Sequence, residues 1–196
     1  MDNIALIIAS IVSSLGTILG IWLKNRMEYK KKECLETIAR SGLNVYQALD
    51  FILKETNADR AYVFEFHNGE KFFSGRGQQK FSCTYETVRP GVSAECLASQ
   101  SHRISNFNKY IKSLISEGQS FSLDVESVED SSFASILKNK GVEAFYNVPV
   151  KTLNGKIIGI LGVDYINNIE NFELQGGRDI DLFMRRQARI IGGYLV

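Results

Sequence analysis

The sequence predicts an α+β domain, a sheet carrying N- and C-terminal helices on one face, preceded by a single transmembrane helix. Three observations predict it. Residues Ile4 to Leu23 run for twenty positions without a charge. Helical three- and four-residue spacing marks the segments that open and close the rest of the chain. Between them, β-branched and aromatic runs alternate with turn signals.

The uncharged run comes first. About twenty apolar residues cross the roughly 30 Å hydrocarbon slab of a bilayer. Lys24, Arg26 and Lys30-Lys31-Lys32 follow at once, and basic residues beside a span keep to the cytoplasmic side. The run lacks the basic leader and small-residue cleavage site of a signal peptide. The sequence thus divides into a transmembrane anchor (1–23), a basic juxtamembrane collar (24–32) and one folded domain (33–196). The predicted localisation is single-pass membrane, with the C-terminal domain cytoplasmic. Gly16 and Gly20 form G-x-x-x-G, with Ala9, Ser13 and Thr17 adding small residues, a pattern that lets two membrane helices approach closely.

Composition is globular, with 44% hydrophobic and 23% charged residues and a formal net charge of +1. By segment the charge is −1 for 1–23, +4 for 24–32 and −2 for 33–196. A near-neutral domain argues against a nucleic-acid surface; the collar suits anionic lipid headgroups. Cys34, Cys83 and Cys96 are odd in number and lack metal-ligand spacing, so free thiols are expected.

From Glu33 to about Glu55, Leu35, Ile38, Val45, Leu49, Ile52 and Leu53 make one apolar helical stripe. Arg60 to His67 reads as a strand ended by the Asn68-Gly69 turn. Residues 70–79 form a loop, and Lys80 to Val88 a second strand stopped by Pro90-Gly91. Residues 92–118 read as two short helices, one around Leu97 and one around Tyr110-Ile111-Leu114-Ile115. Phe121 to Val125 is a short strand. Ser132 to Lys140 is a helix closed by Gly141. Val142 to Val150 is a strand whose Pro149 suits an edge or a strand end. Leu153-Asn154-Gly155-Lys156 turns the chain into Ile157 to Ile166, the most strongly β segment and the predicted central strand. Residues 167–177 form a loop. Arg178 to about Ile191 is the closing helix, with Gly192-Gly193 fraying its end.

The run from Gly141 to Val150, Gly-Val-Glu-Ala-Phe-Tyr-Asn-Val-Pro-Val, followed by Gly155-Lys156-Ile157-Ile158-Gly159-Ile160-Leu161-Gly162-Val163, resembles a GAF domain over about residues 33–196. The stretch Tyr62 to Gly69 also looks like GAF-type proteins of bacterial viruses and prophages. The resemblance implies a GAF-like central antiparallel sheet. It also implies a helix pair that makes a parallel homodimer, and a small-ligand pocket on the opposite sheet face. The Asn-Lys-x-x-x-Phe-Asp-Glu signature of cyclic-nucleotide-binding members is absent. So are the Cys-His dipeptide of bilin-binding members and the cysteine spacing of the sulfoxide-reducing ones.

The candidate ligand-binding residues are Glu65, His67, Asn68, Phe73, Tyr85, Arg89 and Asp164. Glu65 and His67 share one strand face beside the Asn68-Gly69 turn, where a carboxylate and an imidazole can bind a polar ligand. Phe73 is a lid for such a pocket or a cap on the core. Tyr85 and Arg89 are expected at the same mouth, where Arg89 could fork onto a phosphate or carboxylate or simply pair with Glu86. Asp164 and Tyr165 close the central strand, so one must face inward. No catalytic residue, metal ligand or cofactor is named. The expected function is a sensory or small-ligand-binding module, not an enzyme. Its expected partners are membrane lipid, a second copy, an unidentified small molecule and an output protein. The alternative is a ligand-free membrane adaptor, possible in a phage or prophage setting. An open cavity lined by Glu65, His67, Tyr85 and Arg89 would favour the first reading, and a filled one the second.

Overall fold

The structure, a computed structural model, describes residues 13–24, 35–166 and 179–196. The chain divides into two compact units, Met1–Arg40 and Ser41–Val196. Residues 13–24 are helical (α1) with every side chain exposed, including Leu15, Ile18, Leu19 and Trp22. No helix among the described residues is long and apolar enough to cross a membrane. Positions 4–12 of the expected span and positions 25–32 of the collar lie outside the described residues, as does the expected loop 167–177.

Two helices cover one face of the sheet. Helix α2 (Leu35–Thr56) buries Val45, Leu49, Ile52 and Leu53, positions that share one helical stripe. It stops at Asn57, whose φ of 54° is the left-handed conformation that asparagine tolerates at a helix end. Helix α5 (Ile180–Tyr194) is capped by Asp179, whose side chain accepts from Asp181 N, and buries Met184, Ala188 and Ile191. The two stripes meet Ala61, Val63, Ala144, Val148, Leu161 and Val163 in one apolar core.

The six strands are β1 (Arg60–Lys71), β2 (Gly77–Val88), β3 (His102–Arg103), β4 (Ser120–Ser122), β5 (Ala144–Lys151) and β6 (Ile157–Tyr165). They form one antiparallel sheet in the order β3-β2-β1-β6-β5-β4. Strand β6 is central, as expected. Pro149 lies where β5 has lost its outer neighbour, because β4 pairs only with Phe145, Tyr146 and Asn147. A missing N–H costs nothing there.

Four local expectations are corrected. Asn68-Gly69 does not reverse the chain: β1 continues to Lys71, with a register irregularity between Asn68 and Lys71, and the turn falls at residues 72–76 around Gly75. No helix forms around Leu97, which is exposed in an irregular segment; only α3 (Asn108–Ser116) is helical there, after a 3-10 turn at Ile104–Asn106. The strand at 121–125 shrinks to Ser120–Ser122. Gly192 does not fray α5; it lets the helix pass the β5 strand end, since a Cβ at 192 would lie 2.5 Å from the Lys151 carbonyl oxygen.

Helix α4 (Ser131–Asn139) and α3 cover the other sheet face. One residue anchors both. Asp130 Oδ2 accepts from Lys109 N and Tyr110 N at the start of α3, and Oδ1 accepts from Phe133 N in the first turn of α4. A carboxylate at two helix N-termini satisfies orphan donors and suits both dipoles.

Candidate functional site

Strand alternation decides what faces α3 and α4. On β1 these are Arg60, Tyr62 and Phe64; on β2, Phe81, Cys83 and Glu86; on β6, Ile160 and Asp164; on β5, Phe145 and Asn147. Most of this face is aromatic packing, with Phe81, Phe107, Tyr110, Phe133 and Phe145 buried. Tyr110 stacks on Phe133 with centroids 3.8 Å apart.

Into this packing the fold places a chain of polar groups. Arg60 and Asp164 are register partners at the ends of adjacent strands. Arg60 Nη1 donates to Asp164 Oδ2 at 3.0 Å, and Nη2 to the Ser93 carbonyl at 3.1 Å. Its Nε lies 3.3 Å from Glu86 Oε1 but makes no hydrogen bond. Glu86 Oε2 accepts from Glu95 N and Cys96 N, both at 2.8 Å, which pins the segment after β2 over the site. The Tyr62 hydroxyl lies 2.9 Å from Asp164 Oδ1 and from Asn147 Oδ1, and Asn147 Nδ2 donates to Tyr110 Oη. Gly162 makes room for this crossing, since a Cβ there would collide with Asn147 Oδ1 and the Tyr62 ring.

The electrostatics follow from burial. Arg60 is 1% exposed and Asp164 2%. Burial pushes the Asp164 carboxyl above its ordinary value, and Arg60 and the Tyr62 hydroxyl partly offset this. Tyr62 is held well above the usual phenol range by burial, then by the Asp164 charge. Burial, then Lys140, lowers His102. Cys83 is raised by burial and then by Cys96, whose Sγ donates to the Cys83 carbonyl. A buried thiol with a raised pKa is a poor nucleophile.

The space left is small. A cavity of about 30 Å³ remains, bordered by Arg60, Glu86, His102, Lys140 and Asp164 among aromatic walls. That volume admits a water or two and no larger ligand. Among the described residues, no three His, Cys, Asp or Glu side chains gather to hold a metal ion.

Of the seven candidate residues, the structure brings only Asp164 here. Glu65 and Tyr85 face the opposite side of the sheet: the Tyr85 ring lies against Gly42 and Tyr46 of α2, and Glu65 is near enough to raise the Tyr85 pKa after burial. His67 is exposed, with Nε2 at 2.9 Å from Ser82 Oγ. Asn68 accepts from Gln79 across the hairpin. Phe73 is fully exposed at the β1–β2 tip and lids nothing. Arg89 binds Asn57 Oδ1, not Glu86, and closes the α2–β1 turn. The expected convergence failed because strand alternation sends residues 62 and 65 to opposite faces. Sequence reasoning missed Arg60, Tyr62, Asn147, Tyr110, His102 and Lys140. One signal was readable: a charged residue opening an apolar strand, Arg60-Ala61-Tyr62-Val63, needs a buried partner.

No family model matches the sequence, and no curated protein matches it either. Solved structures do. The GAF domain region of a putative membrane protein from Geobacter sulfurreducens matches with a TM-score of 0.56 at 13% identity, over 84% of this chain and 98% of that one. The blue-light absorbing form of the Thermosynechococcus elongatus PixJ GAF domain matches with 0.58 at 14% identity, over 83% and 88%. A GAF domain/HD domain protein from Geobacter sulfurreducens matches with 0.57 at 10% identity, over 83% and 96%. The chain has the GAF fold.

Proposed function

We propose that this chain is a membrane-tethered signalling module of GAF type, with its folded domain on the cytoplasmic side, working as a dimer and reporting to a partner protein. The observation that carries a sensory role is the buried Arg60–Asp164–Glu86 cluster at the cavity edge. A face built only for packing would be apolar, because ion pairs of this depth gain little over hydrophobic replacements. Here three charges, a phenol and an amide are held together, and one Arg60 donor is left without a hydrogen bond. Local inconsistency of that kind marks functional sites. The ligand class it suits is a small polar or anionic molecule, admitted when the segment at 89–107 lifts from Glu86.

The dimer reading rests on the helix face turned away from the core. Leu43, Tyr46 and Phe51 of α2 and Leu182 and Ile190 of α5 are exposed there. Exposed apolar side chains on two neighbouring helices suit a second copy or a partner helix. The tether reading rests on the uncharged run Ile4 to Leu23 and the bases after it.

A second reading, a ligand-free membrane adaptor, is favoured by the size of the cavity, about 30 Å³. Thermal shift of the full chain in detergent against nucleotides and metabolites separates the two. A true ligand at about 100 times its Kd stabilises the fold by about 2.7 kcal/mol. Silence from every compound would leave the adaptor reading.

A further inference from the structure

Two large apolar side chains stand fully exposed at one end of the sheet, Phe73 and Leu153. Phe73 is at the tip of the β1–β2 hairpin, in the turn closed by Phe72 N donating to the Arg76 carbonyl. Leu153 is at the tip of the β5–β6 hairpin. Strand β6 is antiparallel to both β1 and β5, so β1 and β5 run the same way and both hairpins project from one end. The core needs neither side chain.

The charge at this end is one-sided. Over residues 69–80 and 150–158 the bases are Lys71, Arg76, Lys80, Lys151 and Lys156, and Glu70 is the one acid, a balance of +4. Residues 41–196 as a whole carry 17 bases and 18 acids, a balance of −1. The positive charge is therefore segregated to the hairpin end. Beside the second hairpin a groove of about 610 Å³ runs between Lys151, Leu153 and Arg189. Gly42 sits on Tyr85, midway along the sheet, while Thr56 at the far end of α2 accepts from the Tyr165 hydroxyl; α2 therefore runs away from the hairpins.

We propose that the hairpin end is a docking surface for an anionic bilayer, with Phe73 and Leu153 seated at the boundary of headgroups and acyl chains and the surrounding Lys and Arg over lipid phosphates. This rests on the tether proposed above. Apolar tips ringed by bases are the composition that interfacial anchors use. The tether brings the domain to the membrane; the docking surface fixes which end faces it. The contact is electrostatic in part, so salt weakens it.

The test uses the full chain in vesicles. Its one tryptophan, Trp22, is removed by Trp22→Phe, and a single reporter is added by Phe73→Trp, Leu153→Trp or Leu97→Trp. Leu97 is the control, nearly as exposed but in the segment that runs beside β2 at Cys83 and Glu86, away from both hairpin tips. The vesicles are phosphatidylcholine with or without phosphatidylglycerol, doped with acyl-brominated lipid. The expected result is blue-shifted, quenched emission from reporters 73 and 153 when phosphatidylglycerol is present, severalfold weaker quenching without it or in high salt, and none from reporter 97. If the chain floats with the vesicles but 73 and 153 are no more quenched than 97, docking is overturned and the tether stands. A blue shift without quenching that grows with protein concentration assigns the tips to a second copy and also overturns docking. Failure to float removes both.

Discussion

Arg60 and Asp164 oppose each other across the two central strands, with Nη1 to Oδ2 at 3.0 Å and both side chains out of water. The pair joins the first strand of the domain to the last in sequence, which lies beside it at the centre of the sheet. It also faces α3 and α4, beside Tyr110 and Phe133.

Breaking this pair on one side should be costly. Arg60→Met leaves the buried Asp164 and Glu86 carboxylates without their cation, and about 3–5 kcal/mol of stability should be lost; Asp164→Asn, which leaves Arg60 beside Glu86, should cost less. The double variant Arg60→Met/Asp164→Leu should recover part of the Arg60→Met loss, because apolar isosteres of buried pairs are often neutral and Glu86 keeps its two backbone donors. Urea unfolding of the full chain in detergent measures both. Equal loss in single and double variants would show that the pair is not the coupled unit described.

Two glycines should respond oppositely. Gly162→Ala forces a methyl into the Tyr62–Asn147 crossing and should cost about 1–3 kcal/mol. Gly193→Ala, in helix α5 with open space around its Cβ position, should gain up to about 1 kcal/mol from helix propensity. Thermal melts of the two variants check this.

His102 should make stability fall in mild acid. Burial and Lys140 depress its pKa in the folded state, so folding favours the neutral ring. The stability this gives is present above the ordinary histidine value of about 6.5 and is lost as pH falls through the lowered folded value. His102→Gln should flatten this part of the stability–pH curve. An unchanged acid limb would assign it to other groups.

The α2/α5 face should carry the self-association. Leu43→Glu with Leu182→Glu alters two exposed side chains, so stability should move by about 0.5 kcal/mol or less. Cross-linking and sedimentation should nevertheless shift from dimer to monomer. A dimer that survives both changes would put the interface elsewhere, for instance on the Gly16/Gly20 face.

Much of the fold was legible because burial imposes a period. The stripe through Val45, Leu49 and Ile52 and the run Ile157 to Tyr165 declare helix and central strand without help. Turn chemistry was less reliable: Asn68-Gly69 resembles a hairpin turn, yet Gly69 is there because a Cβ would meet the Gln78 carbonyl oxygen at 2.6 Å. Gly192 misled in the same way. The site was mostly illegible for a topological reason. Its residues come from five strands, two helices and the segment between β2 and β3, and which face each side chain takes depends on register. The bulge between Val63 and Phe64 gives β2 an extra residue at Thr84, so Phe81 and Cys83 share a face with Glu86 and Tyr85 falls on the other. Spacing alone could not say that.

The most direct test of a ligand-reading interior is native mass spectrometry of the full chain extracted with its own lipids. The account predicts a small polar molecule retained at one per domain and lost from Arg60→Met and Asp164→Asn chains that remain folded. A bare mass for the unmodified protein, together with no added compound taken up, would contradict it.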